Sequence, residues 1–230
     1  DKTGTLTRND MTVRRISLAE TELDVSGTGY DPHGGFSIAE RDVDLATLPT
    51  AVETLRAMLL CNDAAAHRAD GTWQVQGDPM EAALTIAAIK AGLEPALENE
   101  RYPRDDVIPF DSAHKFMATL HHSHSGESFA YVKGAPEVIV ERCTTVRLAD
   151  GGTAPLDDAM RDELEAAMIA IAGVTTIPST PPRPAAFISL ILRLTSSDSV
   201  RDRVPGSGLK TTMSTPRSSV TPTRCSARST

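Results

Sequence analysis

The stretch DKTGTLT, at residues 1–7, combines side chains that a phosphoryl transfer needs. The carboxylate of Asp1 can attack phosphorus and form an acyl phosphate, which divides one difficult transfer into two easier steps. Gly4 permits a tight turn beside it, Lys2 adds positive charge, and the hydroxyl and backbone N–H of Thr3 can approach phosphoryl oxygens. We therefore predict Asp1, Lys2 and Thr3 as catalytic residues.

Further stretches accompany this loop in order along the chain. They are CND at 61–63, GDPMEAAL at 77–84, PFDSAHKFMATL at 109–120 and VKGAPEVIVERC at 132–143. Together with DKTGTLT they resemble P-type ATPases, ion pumps with a haloacid-dehalogenase-like phosphorylation domain that carries an inserted nucleotide-binding domain. The resemblance extends from Asp1 to about Gly173. It implies phosphorylation of Asp1 from Mg-ATP in the intact parent protein, and it places Glu81 in the ATP pocket.

The residue types in these stretches also suit an ATP site on chemical grounds. Phe110 offers a π-face on which adenine can stack, and Lys115, five residues further on, can reach the base or the phosphates. Lys133 would mark the mouth of the pocket. The small residues Gly134 and Ala135 would let a nucleotide lie close to the backbone. Taken singly, Phe110 is more often a core residue and Glu81 or Lys115 more often a solvated surface charge, and only the joint pattern predicts ATP binding.

Within the family, FDSAHK at 110–115 and KGAPE at 133–137 resemble pumps for calcium and other alkali or alkaline-earth cations. The His-Pro pair typical of heavy-metal pumps is absent. The resemblance thus implies a bacterial-type cation-transporting ATPase that works through an aspartyl phosphate. The expected cofactors are ATP and Mg²⁺, with Asp1 and Thr3 as part of the Mg²⁺ site. We expect the cation to bind only in the parent, and we expect no nucleic-acid partner.

Two alternatives remain beside the pump. The first is a haloacid-dehalogenase-like phosphatase with Asp1 as nucleophile on small phosphate esters. Such enzymes usually carry a second acid two residues later as general acid and base, and Thr3 stands there instead. The second alternative is a nucleotide-binding module without turnover.

The hydropathy of the sequence and its first residue indicate where the chain is located and whether it is a fragment. No run reaches the roughly eighteen apolar residues of a membrane helix, so we expect a soluble chain. The parent would reach the membrane through segments missing here, with this region in the cytoplasm. Because the sequence starts on Asp1 rather than Met, and because the family's hinge and magnesium loops are not recognisable, we interpret it as a fragment with negligible turnover.

The composition changes after Gly173. Residues 174–230 hold eight basic and two acidic side chains, whereas residues 1–173 hold fifteen basic and twenty-nine acidic ones. The later segment also contains twenty-one Ser or Thr and seven Pro. Such a composition predicts a disordered or frameshifted tail, in which only AAFISLILRL could form a short helix or strand. The three widely spaced cysteines indicate no disulfide framework.

Four elements are predicted to position the site. Apolar spacing from Thr50 predicts a core-facing helix, and Asp78 with Pro79 predicts the start of another that Gly92 ends. Alternation around Ser125-Gly126 predicts a hairpin over 115–134. PLDDAMRDELEAAMIAIAG, at 155–173, predicts a last helix. Since His121, His122 and His124 flank the hairpin turn and alternate between opposite faces, we expect no metal site there.

These elements predict an α/β (α+β) fold. Residues 1–23 would begin the phosphorylation domain, as a remnant of its haloacid-dehalogenase-like fold. Residues 24–173 would form the nucleotide-binding domain, with an antiparallel sheet and flanking helices packed against one face. Residues 174–230 would form the disordered C-terminal tail.

Overall fold

The computed structural model describes residues 11–69, 71–173 and 190–195. The predicted catalytic residues Asp1, Lys2 and Thr3, and with them the predicted Mg²⁺ ligands, lie outside these residues. The predicted tail also lies outside them, except for residues 190–195.

The described residues form five α-helices and twelve β-strands. The helices are α1 (Pro49–Leu60), α2 (Pro79–Lys90), α3 (Pro95–Arg101), α4 (Pro136–Arg142) and α5 (Asp158–Gly173). The strands are β1 (Arg15–Ser17), β2 (Glu22–Val25), β3 (Phe36–Ile38), β4 (Arg41–Asp42), β5 (Ala65–Ala69), β6 (Thr72–Gln76), β7 (Arg104–Asp111), β8 (Phe116–His122), β9 (Ser128–Gly134), β10 (Thr145–Arg147), β11 (Thr153–Pro155) and β12 (Leu190–Thr195). Mixed helices and antiparallel sheets confirm the predicted fold class.

A central antiparallel sheet carries the candidate site. Its strand order is β12-β9-β8-β7, and β8 and β9 form the predicted hairpin, which is confirmed. AAFISLILRL, for which helix and strand were both open, supplies β12, a strand that pairs with β9. Since β7 lies at the edge of this sheet, the end of β7 is free to carry residues that face solvent.

Helices cover both faces of this sheet, so the prediction of helices against one face is corrected. Met117 and Tyr131 pack with residues of α1 on one face. Phe116, Ala118 and Val132 pack with α4 and α5 on the other. The physical reason is visible in β8, where consecutive side chains are buried, as expected of a strand covered on both sides.

A second antiparallel sheet, in the order β1-β2-β3-β4, packs with α1 and α2. Its core includes Leu23, Phe36 and Leu55. The predicted boundary between 23 and 24 falls inside β2, and Asp24 pairs with Arg15 of β1, so one sheet continues on both sides of that boundary.

Local sequence signals explain where the helices begin. α1, α2, α3 and α4 each begin with proline, which has no N–H to lose in the first turn and a φ that already suits a helix. Asp78 caps α2 by accepting from the N–H groups of Met80 and Glu81. The three helices predicted from apolar spacing or from their end signals are confirmed as α1, α2 and α5. No described helix is long and apolar enough to span a bilayer.

Candidate functional site

The predicted ATP-binding residues gather at one end of the central sheet. Asp111, Phe116 and Gly134 lie side by side across β7, β8 and β9. Phe110 precedes Asp111 on β7, and Lys115 comes immediately before Phe116, the first residue of β8. The hairpin register therefore brings together residues that the sequence separates.

The innermost part of the site is an ion pair between β9 and α2. Lys133 Nζ donates to Glu81 Oε1 at 2.7 Å, and both side chains are largely buried. Glu81 stands in the first turn of α2, where the helix dipole favours a carboxylate. Lys133 is predicted at the mouth of the pocket; in the structure its side chain is buried against Glu81.

The CND segment, residues 61–63, holds Glu81 through two hydrogen bonds. Asn62 Nδ2 donates to the carbonyl oxygen of Glu81 at 2.9 Å, and the backbone N–H of Asp63 donates to Glu81 Oε2 at 3.2 Å. The neighbouring Cys61 thiol is buried near the carbonyl oxygens of Met117 and Tyr131, and burial raises its pKa. Cys61 therefore stays a protonated thiol near neutral pH and packs as a small apolar group.

Lys115 ends the turn between β7 and β8 in an unusual backbone conformation. Its φ is +57°, and its N–H donates to the carbonyl oxygen of Asp111 at 2.7 Å. The N–H of Ala135 donates to the carbonyl oxygen of Lys115 at 2.9 Å. These two bonds fix a backbone conformation that a lysine rarely adopts alone.

Gly134 makes this arrangement possible. A Cβ at Gly134 would stand 2.6 Å from Phe116 Cβ and would also collide with the carbonyl oxygen of Lys115. The missing side chain thus makes room for the chain's own turn. Gly134 and Ala135 are predicted to let a nucleotide lie close to the backbone; in the structure Gly134 also makes room for the turn, and the N–H of Ala135 binds the carbonyl oxygen of Lys115.

The side chain of Lys115 points to solvent and pairs with Glu137, a residue that sequence reasoning did not single out. Lys115 Nζ lies 3.3 Å from Glu137 Oε1, and both groups are exposed. The backbone N–H of Glu137 itself, and then the Lys115 ammonium, lower the pKa of the Glu137 carboxyl. Glu137 is therefore an anion near neutral pH.

Phe110 is the most exposed large apolar residue in the described part of the chain, with 64% of its surface accessible. Burying such a ring against another apolar group releases water from it, and its face suits a planar base. An aromatic side chain exposed to solvent at this end of the sheet has a face on which a planar base can stack.

The histidines near the hairpin turn have separate environments. His121 is buried, its Nδ1 donates to the carbonyl oxygen of Tyr102, its Nε2 contacts Thr119, and burial lowers its pKa. His122 instead faces Asp105 on the surface. In the described ranges, no group of three or more His, Cys, Asp or Glu side chains is arranged to hold a metal ion.

Comparison with known proteins places these residues in a family. Residues 50–176 match the family model described as "P-type ATPase, cytoplasmic domain N". All six predicted ATP-binding residues lie inside that range.

Curated relatives agree. The chain is 41% identical over 170 residues to the cation-transporting ATPase pma1 of Synechocystis sp., an alignment that covers 72% of the chain and 18% of that protein. It is 42% identical over 164 residues to a probable cation-transporting ATPase F of Mycobacterium tuberculosis, with 69% and 18% covered. A calcium-transporting ATPase of Bacillus subtilis is 32% identical over 168 residues, with 73% and 19% covered. The chain thus spans about a fifth of the length of these relatives.

Proposed function

The chain belongs to the P-type cation ATPase family and contains its cytoplasmic N domain, and on that premise we propose that this domain binds ATP at the end of the central sheet. The observation that carries the proposal is the grouping of an exposed aromatic ring with two lysines around one sheet end. The strand register and the turn at Lys115 produce that grouping from residues up to twenty-three positions apart in the sequence.

Each residue takes a role that its surroundings allow. Phe110 stacks on adenine, because its ring is exposed and has a face available to a base. Lys115 reaches toward the phosphates as a solvent-exposed ammonium. Lys133 and Glu81 form the inner wall, where a buried charged pair can bind polar atoms of the nucleotide. Gly134 and Ala135 hold the backbone that presents Lys115.

In the full-length protein, we propose, this domain delivers ATP to Asp1, which forms the aspartyl phosphate of a cation pump in the membrane. Mg²⁺ would neutralise the phosphate charge during that transfer, and Asp1 and Thr3 are the proposed ligands within this chain. The names of the relatives favour calcium or another cation as cargo. Asp1→Asn in the full-length protein should abolish the phosphoenzyme and leave ATP binding intact, because an amide cannot form an acyl phosphate.

Calorimetric titration of ATP into the chain tests the binding site. Phe110→Ala should weaken binding about tenfold, since stacking of a base on an aromatic ring contributes roughly 1–3 kcal/mol. Leu97→Ala is the matched control, because Leu97 is also a large exposed apolar residue but lies on α3. It should bind ATP like the unmodified chain.

Equal ATP affinities for the chain and Phe110→Ala would remove Phe110 from the site. An equal loss in Leu97→Ala would show that the effect of Phe110 is not local. Absence of ATP binding to the chain would overturn the proposed function of the described domain.

A further inference from the structure

Arg104 is not among the residues assigned to the ATP site, yet its contacts connect it to Glu81, which is. It is the first residue of β7, the strand that ends near Phe110. Its guanidinium binds the segment after α1 through three contacts: Nη1 lies 2.7 Å from Asp63 Oδ1, and Nη2 donates to the carbonyl oxygens of Leu60, at 3.1 Å, and Asn62. A planar guanidinium makes such contacts at fixed angles, which an ammonium cannot reproduce.

The segment that Arg104 binds is the segment that holds Glu81. Asn62 is buried, and both ends of its side-chain amide are hydrogen-bonded. Its Nδ2 donates to the carbonyl oxygens of Met58 and Glu81, and its Oδ1 accepts from the N–H of Ala64. The next N–H, on Asp63, donates to Glu81 Oε2. Glu81 Oε1 receives Lys133. Both oxygens of the carboxylate are thus held, one by a side chain and one by the backbone next to Asn62.

We propose that Arg104 is a positioning residue for nucleotide binding: by fixing residues 60–63 it sets the orientation of Glu81 and, through Glu81, of the Lys133 ammonium. This inference rests on the proposed ATP site. Without the guanidinium, residues 60–63 lose two contacts to their carbonyl oxygens and one to the Asp63 side chain, and the N–H of Asp63 no longer has a fixed direction. Glu81 then loses one of its two donors, and its carboxylate can rotate away from the geometry that aims Lys133.

Arg161 provides a matched control on the other face of the sheet. Its guanidinium also donates to two carbonyl oxygens, those of Val140 and Cys143, each at 2.6 Å. Those bonds join the end of α4 to α5 and have no contact with Glu81. Arg104→Gln and Arg161→Gln therefore both remove a charged anchor of backbone carbonyls, but only the first removes an anchor of the site.

The experiment measures ATP affinity by calorimetry on the full chain, well below the unfolding temperature. Arg104→Gln should weaken ATP about fivefold or more, whereas Arg161→Gln should change it less than about twofold. Arg104→Lys should bind ATP as weakly as Arg104→Gln, because lysine restores the positive charge but not the planar guanidinium that contacts several oxygens at fixed angles. If charge attraction alone were the cause, Arg104→Lys would bind like the unmodified chain.

A double-mutant cycle tests the route through Glu81. In a Glu81→Gln background, Arg104→Gln should add less than about a twofold loss, since the group that it positions is already altered. Combined with Phe110→Ala, the loss should be close to the product of the two single losses, because stacking does not depend on Glu81. Should Arg104→Gln fail to fold, Asp63→Asn, which removes the charge from one of the three contacts, should still weaken ATP two- to threefold.

Unchanged ATP affinity in Arg104→Gln, full additivity with Glu81→Gln, or an equal loss in Arg161→Gln would each overturn the positioning role. If Phe110→Ala and Glu81→Gln weaken ATP while Arg104→Gln does not, the inference fails alone. If none of the three weakens ATP, the proposed function fails with it.

Discussion

Two Lys–Glu pairs occupy the candidate site, and they differ in almost every physical respect. Lys133 and Glu81 lie 2.7 Å apart with only 8% and 15% of their side chains exposed. Lys115 and Glu137 lie 3.3 Å apart with 56% and 62% exposed. The first pair connects β9 to the start of α2, and the second connects a turn to the start of α4.

This difference separates a fixed charge from an exchangeable one. A buried ion pair has already lost its hydration, so removal of one partner leaves an uncompensated charge. An exposed pair is screened by water and salt and contributes little to stability. In the proposed ATP site, Lys115 would therefore leave Glu137 for a phosphate at small cost, while Lys133 would keep its partner and form a fixed wall.

Removal of the two lysines should show the largest contrast. Lys133→Met should lower the free energy of unfolding by about 3 kcal/mol, because the Glu81 carboxylate stays buried without its cation. Lys115→Met should change it by less than about 1 kcal/mol, because its pair is exposed. Urea denaturation of both variants at neutral pH measures the two values.

A double variant sharpens this test. Lys133→Met with Glu81→Leu should recover much of the lost stability, since apolar residues of similar volume can replace a buried pair. Equal destabilisation by the two single lysine variants would contradict the distinction between a buried and an exposed pair.

Gly134 follows Lys133 of the buried pair and precedes Glu137 of the exposed pair in the sequence. Its substitution should have the next largest effect on stability. Gly134→Ala places a Cβ against backbone and Cβ atoms of Lys115 and Phe116, which cannot move aside cheaply. We expect a loss of about 2 kcal/mol in the free energy of unfolding, within the range for overpacking. Gly35→Ala is the control, because a Cβ there meets nothing within 4 Å. Thermal unfolding measures both variants. Equal falls in their midpoint temperatures would contradict the close packing assigned to Gly134.

The sequence predicted those parts of this site that local patterns specify. Apolar spacing after Thr50, the Asp78-Pro79 cap and the alternation across the hairpin each involve residues close together in the sequence, and all three elements are present. The Glu81–Lys133 pair joins residues fifty-two positions apart. Its buried setting depends on the tertiary contact between the first turn of α2 and β9, which no local pattern specifies.

Other features were missed for related reasons. Helices cover both faces of the sheet, and β8 is accordingly buried on both sides. The sequence FMATLHH did not indicate this, because its two final histidines are typical of a polar, exposed strand end. His121 is buried because Tyr102 and Thr119 satisfy its ring nitrogens. No local sequence pattern indicated the role proposed for Arg104, since that role depends on carbonyl groups that come together only when the chain turns after α1. The CND motif was the one available clue, without a role attached.

The smallest effect that we predict belongs to the exposed pair itself. Glu137→Gln removes an anion that competes with phosphates for Lys115, so ATP affinity should rise about twofold at neutral pH and low salt. Glu141→Gln is the control, because Glu141 lies on the same helix, is more exposed and pairs only at 4.0 Å with Arg142. It should leave the affinity unchanged.

Three conditions identify the cause of that rise. Adenosine, which has no phosphates, should bind both chains equally. Added salt should reduce the difference, because exposed charges are screened. Since the pKa of Glu137 lies below its ordinary value, the carboxylate stays charged at neutral pH, and the difference should disappear only as the pH falls through that lowered pKa and protonation removes the same charge. A rise that persisted for adenosine, or that Lys115→Met did not remove, would show that Glu137 acts on the site by another route than the exchange of Lys115 between carboxylate and phosphate.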